Sequence, residues 1–199
     1  GIYKCFGCGK AGNSVNFVMD HEQLTYPEAL RYLANKYSIE IEEKEQTPAQ
    51  KEQQSVRESL QIVHSFAQKY YTEQLLETDV GKSIGLSYFI ERGYSMETIT
   101  KFQLGYNPDS WDGFTSEALK KGYKEEYLLA AGLTKGEPGK RFDFFKGRVM
   151  FPIHTITGRV IAFGGRTLRN DNKTAKYFNS PESELYIKSK VLYGLYFAK

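Results

Sequence analysis

Two cysteines, Cys5 and Cys8, are the whole thiol content of the chain, and they stand in the run Cys5-Phe-Gly-Cys8-Gly9. Thiolates two residues apart can share one metal ion, and a glycine directly after the second lets backbone N–H groups turn toward the sulfurs. The spacing is that of a zinc knuckle. A structural zinc site takes four ligands, so the pair is half of a set. His21 follows Cys8 at a finger-like spacing, but no second histidine lies three to five residues beyond it, and it reads as a surface residue of a helix. The missing ligands either precede Gly1 or are absent altogether, and the lack of an initiator Met favours the first. A redox dithiol is the alternative; it needs a strand before the pair and a helix after it, and only two residues precede Tyr3. The glycines of Gly7-x-Gly9-x-x-Gly12 formally match a dinucleotide fingerprint, yet no apolar strand precedes them and the cysteines account for them better.

A second group of residues lies near the other end, from Phe163-Gly-Gly-Arg166 through Lys176-Tyr-Phe-Asn-Ser-Pro-Glu182 to Lys188. Paired glycines after a strand bring backbone close to a ligand; Arg166, Lys176 and Lys188 supply cations, and Tyr177 supplies a face on which a base can stack. This is the equipment of a nucleotide or single-strand groove, and equally that of a solvated basic loop with a structural tyrosine. Charge favours a polyanion. The net charge of +3 divides into +7 over residues 141–199, where eleven Lys and Arg face four Asp and Glu, and −4 over the first 140. A basic half of this kind attracts phosphate backbones and releases their counterions.

The elements that must position these groups can be traced by period and punctuation. Asn13 or Ser14 caps a short helix carrying Phe17 and Val18, and Thr25-Tyr-Pro-Glu28 reads as the capping box of a second helix. Residues 40–54 carry almost no apolar side chains and contain Pro48, which predicts a linker. A helical period resumes at Ser55, with Val56, Leu60, Val63, Ala67, Tyr70 and Leu75 near one face, and continues to about Glu77. Shorter helices are predicted at Ser87–Glu91, Ser95–Phe102, Trp111–Lys120 and Lys124–Ala130. Arg148–Ile153 and Arg159–Phe163 are β-rich runs separated by His154-Thr-Ile-Thr-Gly158, a hairpin signal. His64 on its helix and His154 in the turn have no nucleophile near them in sequence, and structural roles suffice for both.

With 40% hydrophobic and 26% charged residues the composition is that of a folded globular chain. No apolar run approaches the ~18 residues that span a bilayer, and the first ten residues lack the apolar stretch of a signal peptide, so a cytoplasmic protein without membrane contact is expected. The fold class is α+β in three stretches. Residues 1–40 form part of a zinc ribbon with short helices, 41–54 the linker, and 55–199 a basic subdomain of mixed helices and antiparallel strands.

Taken together the segments resemble the bacterial, DnaG-type DNA primase family. Tyr3 to Tyr37, around Cys-Phe-Gly-Cys-Gly, looks like the second half of that family's zinc ribbon, whose other ligands come from an upstream Cys-Pro-x-His element. Residues 87–106 look like the opening of its RNA-polymerase domain. Phe145-Lys-Gly-Arg-Val-Met-Phe-Pro-Ile153, the run Gly158–Arg166, the stretch from Lys176 and Leu-Tyr-Gly-Leu from Leu192 follow in the family's order. The resemblance implies a nucleotidyltransferase that copies single-stranded DNA template into a short RNA primer from ribonucleoside triphosphates, with a replicative helicase as partner. It implies Zn²⁺ in the ribbon, with Cys5 and Cys8 as two ligands, and Mg²⁺ or Mn²⁺ on the carboxylates of a Toprim subdomain that would begin past Lys199. It also implies a nucleic-acid surface at Arg92, Lys146, Arg148, Arg166, Lys176, Tyr177, Asn179 and Lys188, and no catalytic carboxylate in this chain. Where the family shows two Arg around a Phe, this chain has Phe144 and Lys146, and Lys cannot grip a phosphate bidentately. A non-catalytic zinc-ribbon module that only binds single strands is the other reading.

Overall fold

The computed structural model describes residues 1–22, 24–40, 48–169 and 175–198. Its N-terminal part pairs β1 (Ile2–Lys4) with β2 (Ala11–Asn13) antiparallel, a hairpin with Cys5 and Cys8 in its loop. Helices α1 (Ser14–Glu22) and α2 (Tyr26–Tyr37) follow. The capping box is formed: Thr25 N–H donates to Glu28 Oε2 at 2.7 Å, which satisfies a donor that the first helical turn would leave unpaired.

The long helix α3 runs from Pro48 to Glu77. Of the expected 41–54 linker, residues 41–47 lie outside the described residues and 48–54 are helical. Gln, Glu and Lys are good helix formers even where nothing is buried, and a proline in the first helical position removes only a donor that has no acceptor there. Burial begins further along, where Leu60, Val63, Ala67, Tyr71 and Leu75 recur at helical spacing and are almost wholly covered. A π-helical turn (Gly81–Leu86) then runs into α4 (Ser87–Glu91), followed by α5 (Met96–Lys101), α6 (Gly113–Lys120) and α7 (Glu125–Ala130). All four short helices lie within two residues of the expected bounds.

The strands are β3 (Gly105–Asn107), β4 (Thr134–Lys135), β5 (Phe142–Asp143), β6 (Arg148–His154), β7 (Val160–Thr167) and β8 (Tyr177–Asn179). The predicted hairpin is β6–β7, and the main sheet is antiparallel in the order β3-β6-β7-β8. His154 closes β6 as a buried strand residue rather than standing in the turn. Strand alternation divides the core. Met150 joins Phe163, Phe145, Tyr71 and Phe114 on one side, and Val149 joins Leu75, Phe89, Ile99 and Leu104 on the other. The buried carboxylate of Asp143 ties the edge of the fold to α6, accepting the N–H groups of Phe114 and Thr115 at 2.9 Å each. Burial pushes this carboxyl upward, and those bonds pull against it. Among the described residues no helix is long and apolar enough to cross a membrane.

Candidate nucleic-acid interface

The pairing of β7 with β8 sets Arg166 opposite Tyr177, Gly165 opposite Phe178 and Gly164 opposite Asn179. Because side chains alternate along a strand, Tyr177 and Asn179 share one face and Phe178 takes the other. Phe178 turns inward onto the Phe145 ring, at 5.2 Å between centroids. Tyr177 and Asn179 face a cleft of about 610 Å³, which Arg92, Tyr88 and Tyr94 reach from the α4 side and Tyr186, Lys188 and Tyr193 from the C-terminal segment. Gly164 and Gly165 form its floor. A Cβ on Gly165 would come within 2.5 Å of the Phe145 ring, so this glycine makes room for the protein's own core.

The cleft is cationic and aromatic at once. The Arg166 guanidinium lies 4.5 Å from the Tyr88 ring centroid and 5.7 Å from that of Tyr177, and Arg92 lies 4.8 Å from Tyr88. Burial pushes the Tyr88 hydroxyl upward, opposed by the adjacent Arg166. Tyr88 therefore stays neutral near pH 7 and sits between two guanidinium groups. Sequence reasoning did not single it out; the signal was Arg92, four residues on at the C-terminal cap of α4, a spacing that brings the two side chains together.

Structure sorts the eight expected surface residues into distinct environments. Arg92, Tyr177, Asn179 and Lys188 line the cleft, and Arg166 borders it through the two tyrosines. Lys176 is exposed next to Tyr177 without lining the cleft. Lys146 sits apart, its ammonium 4.4 Å from the ring centroid of Trp111. Arg148 is buried: its Nη1 donates to the carbonyls of Gly165, Ala175 and Lys176, Nη2 donates to Ala175, and the guanidinium lies 3.9 Å from the Phe178 ring centroid. A side chain bonded in this way braces the β7–β8 connection from beneath.

In the N-terminal hairpin Cys5 and Cys8 are exposed free thiols. Cys5 N–H donates to the Lys10 carbonyl at 2.7 Å, Gly9 N–H donates to the Cys5 carbonyl at 3.0 Å, and Gly9 adopts φ +74°, a left-handed turn that glycine accepts without strain. The Cys8 backbone N–H, then the Cys8 side chain and the Gly7 N–H, lower the Cys5 thiol below its ordinary value. Amides aimed at a thiolate suit a zinc knuckle, and the pair leads into β2 rather than a helix, unlike a thioredoxin-type dithiol. Among the described residues no group of three or more His, Cys, Asp or Glu side chains is placed to hold a metal, so these thiols fit two of zinc's four positions. His21 lies on α1 with its ring 5.1 Å from that of Phe17 and tilted by 51° to it.

A Cys-x-x-Cys hairpin joined to an α+β domain with a basic, tyrosine-lined cleft is the class of architecture whose side chains suit nucleic acid. Residues 1–49 match the CHC2 zinc finger, and residues 70–199 match the N-terminal domain of the DNA primase catalytic core. The DNA primase of Deinococcus radiodurans is 41% identical over 197 residues, 98% of this chain and 32% of that protein. That of Clostridium acetobutylicum is 39% identical, over 99% of this chain and 32% of that protein. Among solved structures, the zinc-binding and RNA-polymerase domains of Aquifex aeolicus primase are 33% identical with a TM-score of 0.63, over 98% of this chain and 45% of that one. A DnaG primase catalytic domain bound to single-stranded DNA is 36% identical with a TM-score of 0.66, over 72% and 44%. This chain belongs to the DnaG-type DNA primase family. It spans about a third of the length of the curated relatives it matches, and its CHC2 zinc finger implies a zinc ion.

Proposed function

We propose that this chain is the template-handling part of a DNA primase, with residues 1–40 as zinc-ribbon and 55–199 as the basic half of the RNA-polymerase core. The cleft holds single-stranded DNA or the growing primer: Arg92, Arg166 and Lys188 neutralise phosphates, Tyr177 offers a stacking face, and Asn179 supplies both a donor and an acceptor to a base or sugar. Lys176 extends the basic track along β8. Arg148 shapes the track from below, and Lys146 with Trp111 lies beside another part of the surface. Zinc, held by Cys5 and Cys8 with two further ligands, locks the ribbon hairpin. Nucleotidyl transfer from ribonucleoside triphosphates, with Mg²⁺ or Mn²⁺ on the carboxylates of a Toprim subdomain, and contact with a replicative helicase belong to the whole protein.

The observation that carries this reading is the convergence of Arg92, Tyr177 with Asn179, and Lys188 from three separated segments on one cleft. Salt-titrated fluorescence anisotropy with a labelled oligodeoxythymidine tests it. Lys188→Ala should weaken binding with little sequence preference and lower the salt slope by about one phosphate. Tyr177→Ala should cost about 1–3 kcal/mol with the slope nearly unchanged. Unchanged affinity and slope in both folded variants would remove the cleft from the binding surface.

A further inference from the structure

The wall of the cleft that carries Tyr186 and Lys188 is held by a short turn. Ser183 N–H donates to the Tyr186 carbonyl at 2.9 Å, and Ser183 Oγ accepts from the N–H groups of Leu185 and Tyr186 at 3.3 and 3.2 Å. Tyr186 reaches back into the cleft, where Asn179 Nδ2 donates to its hydroxyl at 3.2 Å. The turn is also gripped from outside. Arg57 on α3 donates from Nη1 to the Glu184 carbonyl at 2.7 Å. The same guanidinium, almost covered, has its Nε 3.7 Å from Glu28 Oε2. Glu28 in turn closes the capping box of α2, accepting from the Thr25 N–H at 2.7 Å and the Thr25 hydroxyl at 2.8 Å. One planar group therefore touches the ribbon's second helix and the turn that shapes the cleft.

We propose that Arg57 is a positioning residue that couples the seating of α2 on the core to the order of the cleft wall at 183–186. The guanidinium is a rigid fork, so one orientation serves both partners, and a partly desolvated setting makes the hydrogen bond to Glu184 and the ion pair with Glu28 each stronger than they would be in water. When α2 is seated, the Glu28 carboxylate holds that orientation and Glu184 stays gripped. When α2 is displaced, the orienting carboxylate leaves, the guanidinium turns toward water, and the turn beneath Tyr186 loosens. Single-strand affinity then reads the position of the ribbon without any ribbon atom reaching the cleft. The inference rests on the cleft being the single-strand site.

Coupling through a chain of contacts has to be shown by measured coupling, not by adjacency. The test compares the 199-residue chain with Glu28→Gln, Arg57→Ala, the double variant and Thr25→Ala, by amide hydrogen exchange over 181–188 and by anisotropy with labelled oligodeoxythymidine. Glu28→Gln and Arg57→Ala should each speed exchange at Leu185 and Tyr186 and weaken binding about fivefold. The double variant should be no worse than Arg57→Ala. Thr25→Ala, which weakens the cap but keeps the carboxylate, should leave 183–186 unchanged. Unaltered exchange at 183–186 in Glu28→Gln, or additive effects in the double variant, overturns the proposal. If Arg57→Ala does not fold, Glu28→Gln decides alone. If the wild-type chain does not bind the oligonucleotide, the cleft assignment fails, while the exchange measurements still decide the coupling.

Discussion

The two ends of this chain hold their shape in different ways. In the N-terminal hairpin Ile2 and Phe6 are 92% and 91% exposed, and the two thiols stand in the loop that joins its strands. In the sheet, Phe163 is 0% exposed, with Tyr71 at 5.3 Å and Phe145 at 6.4 Å between ring centroids. A module with so little apolar burial depends on a metal or on a covering surface, whereas a sheet filled on both faces supports itself. The contrast explains where function can sit. The cleft rests on the buried sheet, while the ribbon hairpin carries its apolar side chains in the open.

The contrast is most severely tested at Phe163. Phe163→Ala should lower stability by about 3–5 kcal/mol, since the cavity is walled by aromatic rings that cannot collapse into it. A loss below about 1 kcal/mol in denaturant unfolding would mean that the sheet is not the supporting body.

Acid should act on the same body. Burial depresses both His64, whose Nδ1 donates to the Leu60 carbonyl at 2.7 Å, and His154, each to about 4 from 6.5. Their folded-state values are lowered, so their contribution is complete above about pH 6.5 and is lost as the pH falls toward about 4, where the unfolded chain takes up protons more readily. Melting temperature should fall over that window. His64→Gln, which keeps a donor for Leu60 but does not titrate, should flatten part of the decline; an identical profile would assign the acid limb to other groups.

The smallest effect belongs to the hairpin. Phe6→Ala should change the chain's stability by no more than about 0.5 kcal/mol, as expected for a side chain with almost nothing to lose. A larger loss in thermal unfolding would show that Phe6 is covered in solution and that the two regions are less different than their burial indicates.

Much of this was legible in one dimension, because it depends on neighbours in sequence. The α2 capping box, the four short helices and the β6–β7 hairpin each rest on residues within a few positions of one another. The start of α3 was missed because polar residues look like a linker when nothing buries them, although their intrinsic preference is helical. Three-residue strands such as β3 carry too little period to be seen before their partner, β6, is in place.

Composition and spacing by themselves determined that this is an α+β chain with a Cys-x-x-Cys pair and a basic C-terminal stretch, and the order of its motifs marked the family. Which cations line the cleft was decided only by tertiary structure. Arg148 and Arg166 lie on neighbouring strands with equal charge, yet one is bonded beneath the sheet to three carbonyls and the other lies against two tyrosines at the cleft. Tyr88 gained its place because α4 sets its ring beside Arg166 of β7, and Arg57 because α3 brings it within reach of residues 29 positions before it and 127 after it. Charge is a property of a residue, but exposure and partnership belong to the packing around it, and that is set by contacts far apart in sequence.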